Sequence, residues 1–249
     1  MSRFHSSSRG PTSTERSVAE VVDRLSAFFP DTGRPTGQEV RKQGFDYFPR
    51  HWLKSWPDLA KPELLTYDGR ASLTRADVFT RAATVQTAGD ALSLYVAICS
   101  WGSGIYAQSI TRRARVLGNP AAPMLLMRSL TRVRAEGAVA AYAALEWGGE
   151  DHLKYFGPAF WTKWLYFGGF EARDRPGPAP LILDSLVATA LGWRIGGWAA
   201  ADYERYLALA SEIGAAWRPS SPLDVVEYSL FQMGKAERLE ARARSRAAV

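Results

Sequence analysis

Apolar residues recur at helical spacing along most of this chain, and nowhere do they alternate with polar residues over the length of a strand. Between Val18 and Phe29 the apolar positions are 18, 21, 22, 25, 28 and 29, which line one face of a helix. Thr14 or Ser17 can cap its start, and the stretch from Pro30 to Pro35 breaks it. The same spacing predicts a helix behind a Thr74 cap and a buried one over Ala91–Cys99, interrupted by Trp101-Gly102-Ser103-Gly104. Further helices are expected over Ile105–Leu117, Met124–Glu136 and Ala138–Trp147, and over Pro158–Phe167, closed by Gly168-Gly169. Others run from Asp184 to Ala190, from Asp202 to Ala215, and onward from Pro222. The segment Phe45–Pro62 is aromatic and holds three prolines, so it reads as irregular or short helical pieces, and Tyr67-Asp68-Gly69-Arg70 as a turn. The expected class is all-α, a compact multi-helix fold.

A hydrophobic fraction of 47 % in 249 residues is enough for a sizeable core. One helical domain over 16–240 is expected, with a disordered N-terminus at 1–15 and a basic tail at 241–249. The single Cys99 excludes an internal disulfide and a CxxC metal site. His5, His51 and His152 lie far apart, so no metal is expected. No P-loop or dinucleotide glycine fingerprint occurs, and no cofactor is expected. The longest apolar run, Ala91–Cys99, is half of what a membrane span needs. The first residues lack the apolar core of a secretory signal, so the expectation is a cytoplasmic protein without a membrane partner.

The formal charge is +6, unevenly placed. Residues 91–135 contain no Asp or Glu but carry Arg112, Arg113, Arg115, Arg128, Arg132 and Arg134. Such a cluster attracts polyanions, and the planar guanidinium suits phosphate oxygens. Lys235, Arg238, Arg242, Arg244 and Arg246 follow near the C-terminus against two Glu. A solvated helix face and a frayed basic end are the plainer explanations.

The chemistry-bearing stretch is 153–167 with 180–187. Gly157 permits a turn, Pro158 suits a first helical position, and the free amides of that helix start offer an anion site. Lys163 lies among Phe160, Trp161, Trp164 and Phe167, and an amine held in aromatic surroundings is partly desolvated, which favours its neutral, nucleophilic form. Asp184 follows an apolar run and opens the next helix, whose dipole favours an ionised carboxylate. An anion beside a nucleophilic amine suits a reaction through a sugar oxocarbenium ion. Each residue also has a plain explanation: a snorkelling lysine, an N-cap aspartate, core aromatics. Trp101 and Gly102 read either as a stacking platform with close backbone approach or as a helix break with a core indole.

The combination resembles the helix-hairpin-helix DNA glycosylases and is most similar to a bacterial 8-oxoguanine DNA glycosylase branch with an OGG-like fold. The residues that carry this are Gly157-Pro158-Ala159-Phe160-Trp161-Thr162-Lys163-Trp164-Leu165-Tyr166-Phe167 and Leu181-Ile182-Leu183-Asp184, with 21 positions from Lys163 to Asp184. The resemblance spans about residues 67–235. It implies a helix-hairpin-helix element in two helical lobes around a cleft. It also implies a monomer acting on double-stranded DNA with a flipped base, excising 8-oxoguanine-like lesions through a lysine Schiff base with AP-lyase activity. Lys163 and Asp184 would be catalytic, and Lys154, Gly157, Arg112, Arg113, Arg128 and Arg132 would hold the DNA backbone. Trp101, Gly102, Phe160, Trp161 and Trp164 would form the base pocket. The family hairpin L-P-G-x-G reads here Leu153-Lys154-Tyr155-Phe156-Gly157, without the first glycine. Lys163 stands six positions after Gly157, where the family has lysine two positions on, at Ala159. The Gly157-Pro158 and Trp161-Thr162 pairs also resemble the alkyladenine-type enzymes, which act without covalent chemistry. Excision of hypermodified phage bases, in defence, and non-catalytic DNA binding are the alternatives.

Overall fold

The computed structural model describes residues 15–57 and 61–247. All but one residue of the expected disordered segment 1–15 therefore lie outside the described residues. The described residues form twelve α-helices: α1 (Val18–Phe28), α2 (Gly37–Lys42), α3 (Arg50–Leu53), α4 (Arg75–Ala83), α5 (Ala88–Ser103), α6 (Ala107–Ala114), α7 (Ala122–Ala135), α8 (Ala138–Leu145), α9 (Pro158–Gly169), α10 (Ser185–Leu191), α11 (Ala200–Trp217) and α12 (Leu223–Ala247). The fold is compact and mostly α, as the apolar spacing predicts. None of the helices among the described residues is long and apolar enough to cross a membrane.

Two short strands accompany the helices. β1 (Gly44–Tyr47) pairs antiparallel with β2 (Ala71–Thr74), Gly44 opposite Thr74 and Tyr47 opposite Ala71. Four residues are too few to display an alternation, so nothing in GFDY or ASLT announces them. β1 passes beside α5, and the Phe45 ring meets Trp101 edge-on at 5.3 Å.

α5 sits at the centre. Thr87 and Asp90 form a capping box at its start, and Gly104, at φ +59°, ends it. Eleven of its 16 residues are buried, so it has no solvated face. It also runs unbroken through Trp101 and Gly102, where an interruption was expected, because the helix continues until the left-handed conformation that glycine tolerates. α9 packs beside it and is buried over ten residues. Gly168 and Gly169 belong to this helix rather than ending it early. A Cβ at Gly168 would come within 2.4 Å of a Leu130 methyl, and one at Gly169 within 2.7 Å of a Val133 methyl. These glycines are the surface on which α7 rests.

α10 and α12 approach still more closely. A Cβ on Gly234 would stand 2.0 Å from the Leu186 carbonyl oxygen. The basic residues 241–247 are the exposed last turns of α12.

Candidate active site

The connection from α8 to α9 turns at residues 153–157, the stretch expected to form the hairpin. Its left-handed residue is Tyr155, at φ +73°, whereas Gly157 is extended at φ −117°. Tyr155 occupies the position of the missing glycine, so the hairpin keeps its turn although a side chain there is strained. The Tyr155 carbonyl accepts from an Arg113 Nη at 2.5 Å, and Trp161 Nε1 donates to the Phe156 carbonyl at 2.7 Å. Gly157 then caps α9, with Pro158 at its first position. The Phe160 and Trp161 amides both donate to the Gly157 carbonyl, which diminishes the anion site expected at this helix start.

Lys163 lies on the second turn of α9 with 8 % of its side chain exposed. Helical side chains lean toward the N-terminus, and its Nζ accordingly reaches back to within 3.3 Å of the Ala159 carbonyl. The amine thus arrives one turn earlier than its sequence position suggests, level with Ala159. Nζ donates to Asp184 Oδ2 at 3.0 Å. The other carboxylate oxygen, Oδ1, accepts from the amides of Leu186 at 2.9 Å and Val187 at 3.2 Å, capping α10. Burial pushes the Asp184 carboxyl up, but the Lys163 ammonium and the helix amides outweigh it and hold the group below its ordinary value.

What fixes the pair was not legible in the sequence. The extended segment before Asp184 is tied down by side chains on two helices. Thr162 Oγ1 donates to the Leu183 carbonyl and accepts from the Leu183 amide, both at 3.1 Å. Tyr203 and Tyr206 on α11 donate to the carbonyls of Leu181, at 2.9 Å, and Ile182, at 2.8 Å. Thr162 adjoins Lys163 in sequence, and a single aliphatic hydroxyl inside so apolar a helix is the signal that could have found it.

Two cavities meet at the pair. The outer one, about 370 Å³, is bounded by Phe160, Arg112, Arg113, Gly157, Ile195 and Trp198. The inner one, about 290 Å³, has Phe45, Trp101, Phe231, Arg75, Glu227 and Arg238 around it. Gly102, Lys163, Asp184 and Ser185 border both. A Cβ on Gly102 would lie 3.0 Å from Lys163 Cδ and from the Phe160 ring, so this glycine makes room for the lysine stem. Arg75 and Glu227, which no motif in the sequence marks, form a buried bidentate pair at 2.6 and 3.2 Å behind the inner cavity. Burial raises the Glu227 carboxyl, and Arg75 opposes that rise without cancelling it.

The expected base-pocket residues divide. Trp101, Gly102 and Phe160 line the cavities. Trp161 and Trp164 border neither and are core residues instead. The indole N–H of Trp161 is spent on Phe156 and that of Trp164 on Ser129, at 2.8 Å. The expected backbone-binding arginines divide as well. Arg112 is exposed, and Arg113 is half-buried, its guanidinium 4.2 Å from the Phe160 ring centre. Lys154 is exposed beside the hairpin tip. Arg128 and Arg132 are already paired with carboxylates of the chain, Arg128 with 48 % of its side chain exposed and Arg132 with 19 %. Arg128 pairs with the fully buried Asp151 and donates to the Glu150 carbonyl, while Arg132 bonds Glu150 Oε2 at 2.7 Å and lies 3.3 Å from Asp151. Arg134 is likewise spent, on the carbonyls of Gly168 and Ala82.

A family model described as "Putative 8-oxoguanine DNA glycosylase OGG-like protein" matches residues 38–231. No curated protein and no solved structure matches the chain. The matched span takes in most of the chain, with the hairpin, the Lys163–Asp184 pair and all of the cavity residues named above except Arg238, and the chain belongs to the OGG-like 8-oxoguanine DNA glycosylase family.

Proposed function

We propose that this protein is a DNA N-glycosylase that everts a damaged or modified, 8-oxoguanine-like base from double-stranded DNA and releases it through a Schiff base on Lys163, with AP-lyase cleavage following. The observation that carries this is the 3.0 Å contact between a buried amine and a buried carboxylate at the junction of two cavities. The inner cavity, walled by Phe45, Trp101 and Phe231, suits the flat faces of an everted base. Stacking there offsets the few kcal/mol of unpairing. The outer cavity receives the deoxyribose and its phosphates, with Arg112, Arg113, Gly157 and Lys154 along its rim. The cavity pair is the cleft between two lobes of one helical domain, and the protein acts as a monomer.

Asp184 takes a proton from the Lys163 amine as DNA enters, which leaves the nitrogen lone pair free. That lone pair attacks C1′ while the N-glycosidic bond breaks, and the bond's electrons leave with the base, which takes up a proton. The departing base takes its proton from the Asp184 carboxyl, so positive charge on the sugar develops beside a carboxylate that the α10 amides hold in place. The ammonium so formed at C1′ loses a proton, and the nitrogen lone pair then breaks the bond from C1′ to the ring oxygen, which takes up that proton, giving the iminium. Loss of a C2′ proton then expels the 3′ phosphate.

Borohydride reduces that iminium to a stable protein–DNA adduct. The wild-type chain on 8-oxoguanine duplex is expected to be trapped and Lys163→Ala not at all, with Lys154→Ala still trapping. Adduct persisting in Lys163→Ala would remove that residue from the role. Base release without any adduct in the wild type would replace the covalent step with water directed by Asp184. Parallel assays on modified-cytosine duplex decide between oxidative lesions and hypermodified bases.

A further inference from the structure

The face of α12 that borders the inner cavity continues beyond it. Glu227, Phe231 and Arg238 all line that cavity, and steps of three and four along a helix return to one face. Lys235, Arg242 and Arg246 stand on the same face as Phe231 and Arg238 by this spacing. These three are exposed and have no carboxylate partner among the described residues. The acidic residues of this stretch point elsewhere. Glu237 pairs with Arg16 at 3.0 Å and Arg24 at 2.6 Å, and Glu240 lies 3.9 Å from Arg244. At its inner end the stripe reaches the site itself, where an Arg238 Nη donates to the carbonyl of Ser185, the residue after Asp184, at 3.4 Å.

We propose that Lys235, Arg238, Arg242 and Arg246 form a phosphate-binding track for the duplex flanking the everted nucleotide, on the side of the cavities opposite the hairpin rim. Four residues of helix advance about 6 Å, so Arg238, Arg242 and Arg246 present cations at a regular interval leading away from the reacting sugar. Charge complementarity commits the surface to a polyanion, and its continuity with the cavity commits it to the same DNA. The inference rests on the glycosylase function proposed above.

The test is fluorescence anisotropy of the full chain on a short duplex carrying a stable abasic analogue, across a series of salt concentrations. Each lost phosphate contact lowers the slope of log affinity against log salt by about 0.9. The double variant Arg242→Ala/Arg246→Ala should therefore lose about 1.8 of that slope and bind more weakly. Arg244→Ala, one charge fewer on the opposite face, should keep the wild-type slope. Equal slopes for the double variant and the wild type would overturn the track while leaving the glycosylase function standing. A wild-type chain without salt-dependent duplex binding would overturn both.

Discussion

Asp184 holds three partners with two oxygens: Lys163 on Oδ2, and the Leu186 and Val187 amides on Oδ1. All three favour the carboxylate, which is why its value falls despite burial. A group whose folded value is depressed contributes stability that is fully present above its unfolded value, about 3.9, and is lost as pH falls through the folded one. Melting temperature should therefore drop on acidification from about pH 4 downward more steeply in the wild type than in Asp184→Asn. Parallel curves would mean that the folded and unfolded values coincide. Thr162 shows the same logic in a neutral group, since its one hydroxyl satisfies both backbone groups of Leu183.

Among the elements, the contact between α10 and α12 governs where that carboxylate sits, because Asp184 caps the first turn of α10. Gly234 lets α12 lie against the Leu186 carbonyl, and no side chain fits in a 2.0 Å gap to backbone. Gly234→Ala should cost at least the roughly 1–3 kcal/mol typical of overpacking. It should also slow adduct formation, as α10 is pushed from Lys163. Gly37→Ala, with nothing within 4 Å of the added Cβ, should be neutral or slightly stabilising. Urea midpoints and trapping rates for the two variants check this, and a Gly234→Ala protein with wild-type values would contradict the close approach.

Across the whole molecule, the acid-free run 91–135 proves not to be one basic surface. Its carboxylate partners come from later in the chain, with Glu150 and Asp151 meeting Arg128 and Arg132. Arg112 and Arg115 remain exposed without such partners among the described residues. Arg128→Ala should thus lose stability, roughly 1–3 kcal/mol for the buried Asp151 deprived of its hydrogen-bonded cation, and Arg132→Ala less, because Arg128 stays on that carboxylate, both with little change in the salt slope of DNA binding. Arg112→Ala and Arg115→Ala should do the reverse, each lowering that slope by about 0.9 at nearly constant melting temperature. Thermal melts and salt-dependent anisotropy separate the two groups.

Most helices were legible because apolar spacing and caps are local: Thr74 and Asp184 each start the helix their chemistry predicts. The family signature was legible for a related reason, being confined to a hairpin, one helix and the next helix start. The tertiary structure alone decided which cations stay free, because Arg128 meets Asp151 across 23 positions of sequence. It alone showed that Tyr155 takes the left-handed turn of an absent glycine, and that Trp161 and Trp164 serve the core. It likewise brought α11 tyrosines onto the strand-like segment before Asp184. Local rules fix how a segment folds, whereas desolvation and pairing depend on which distant groups the fold brings within hydrogen-bond reach.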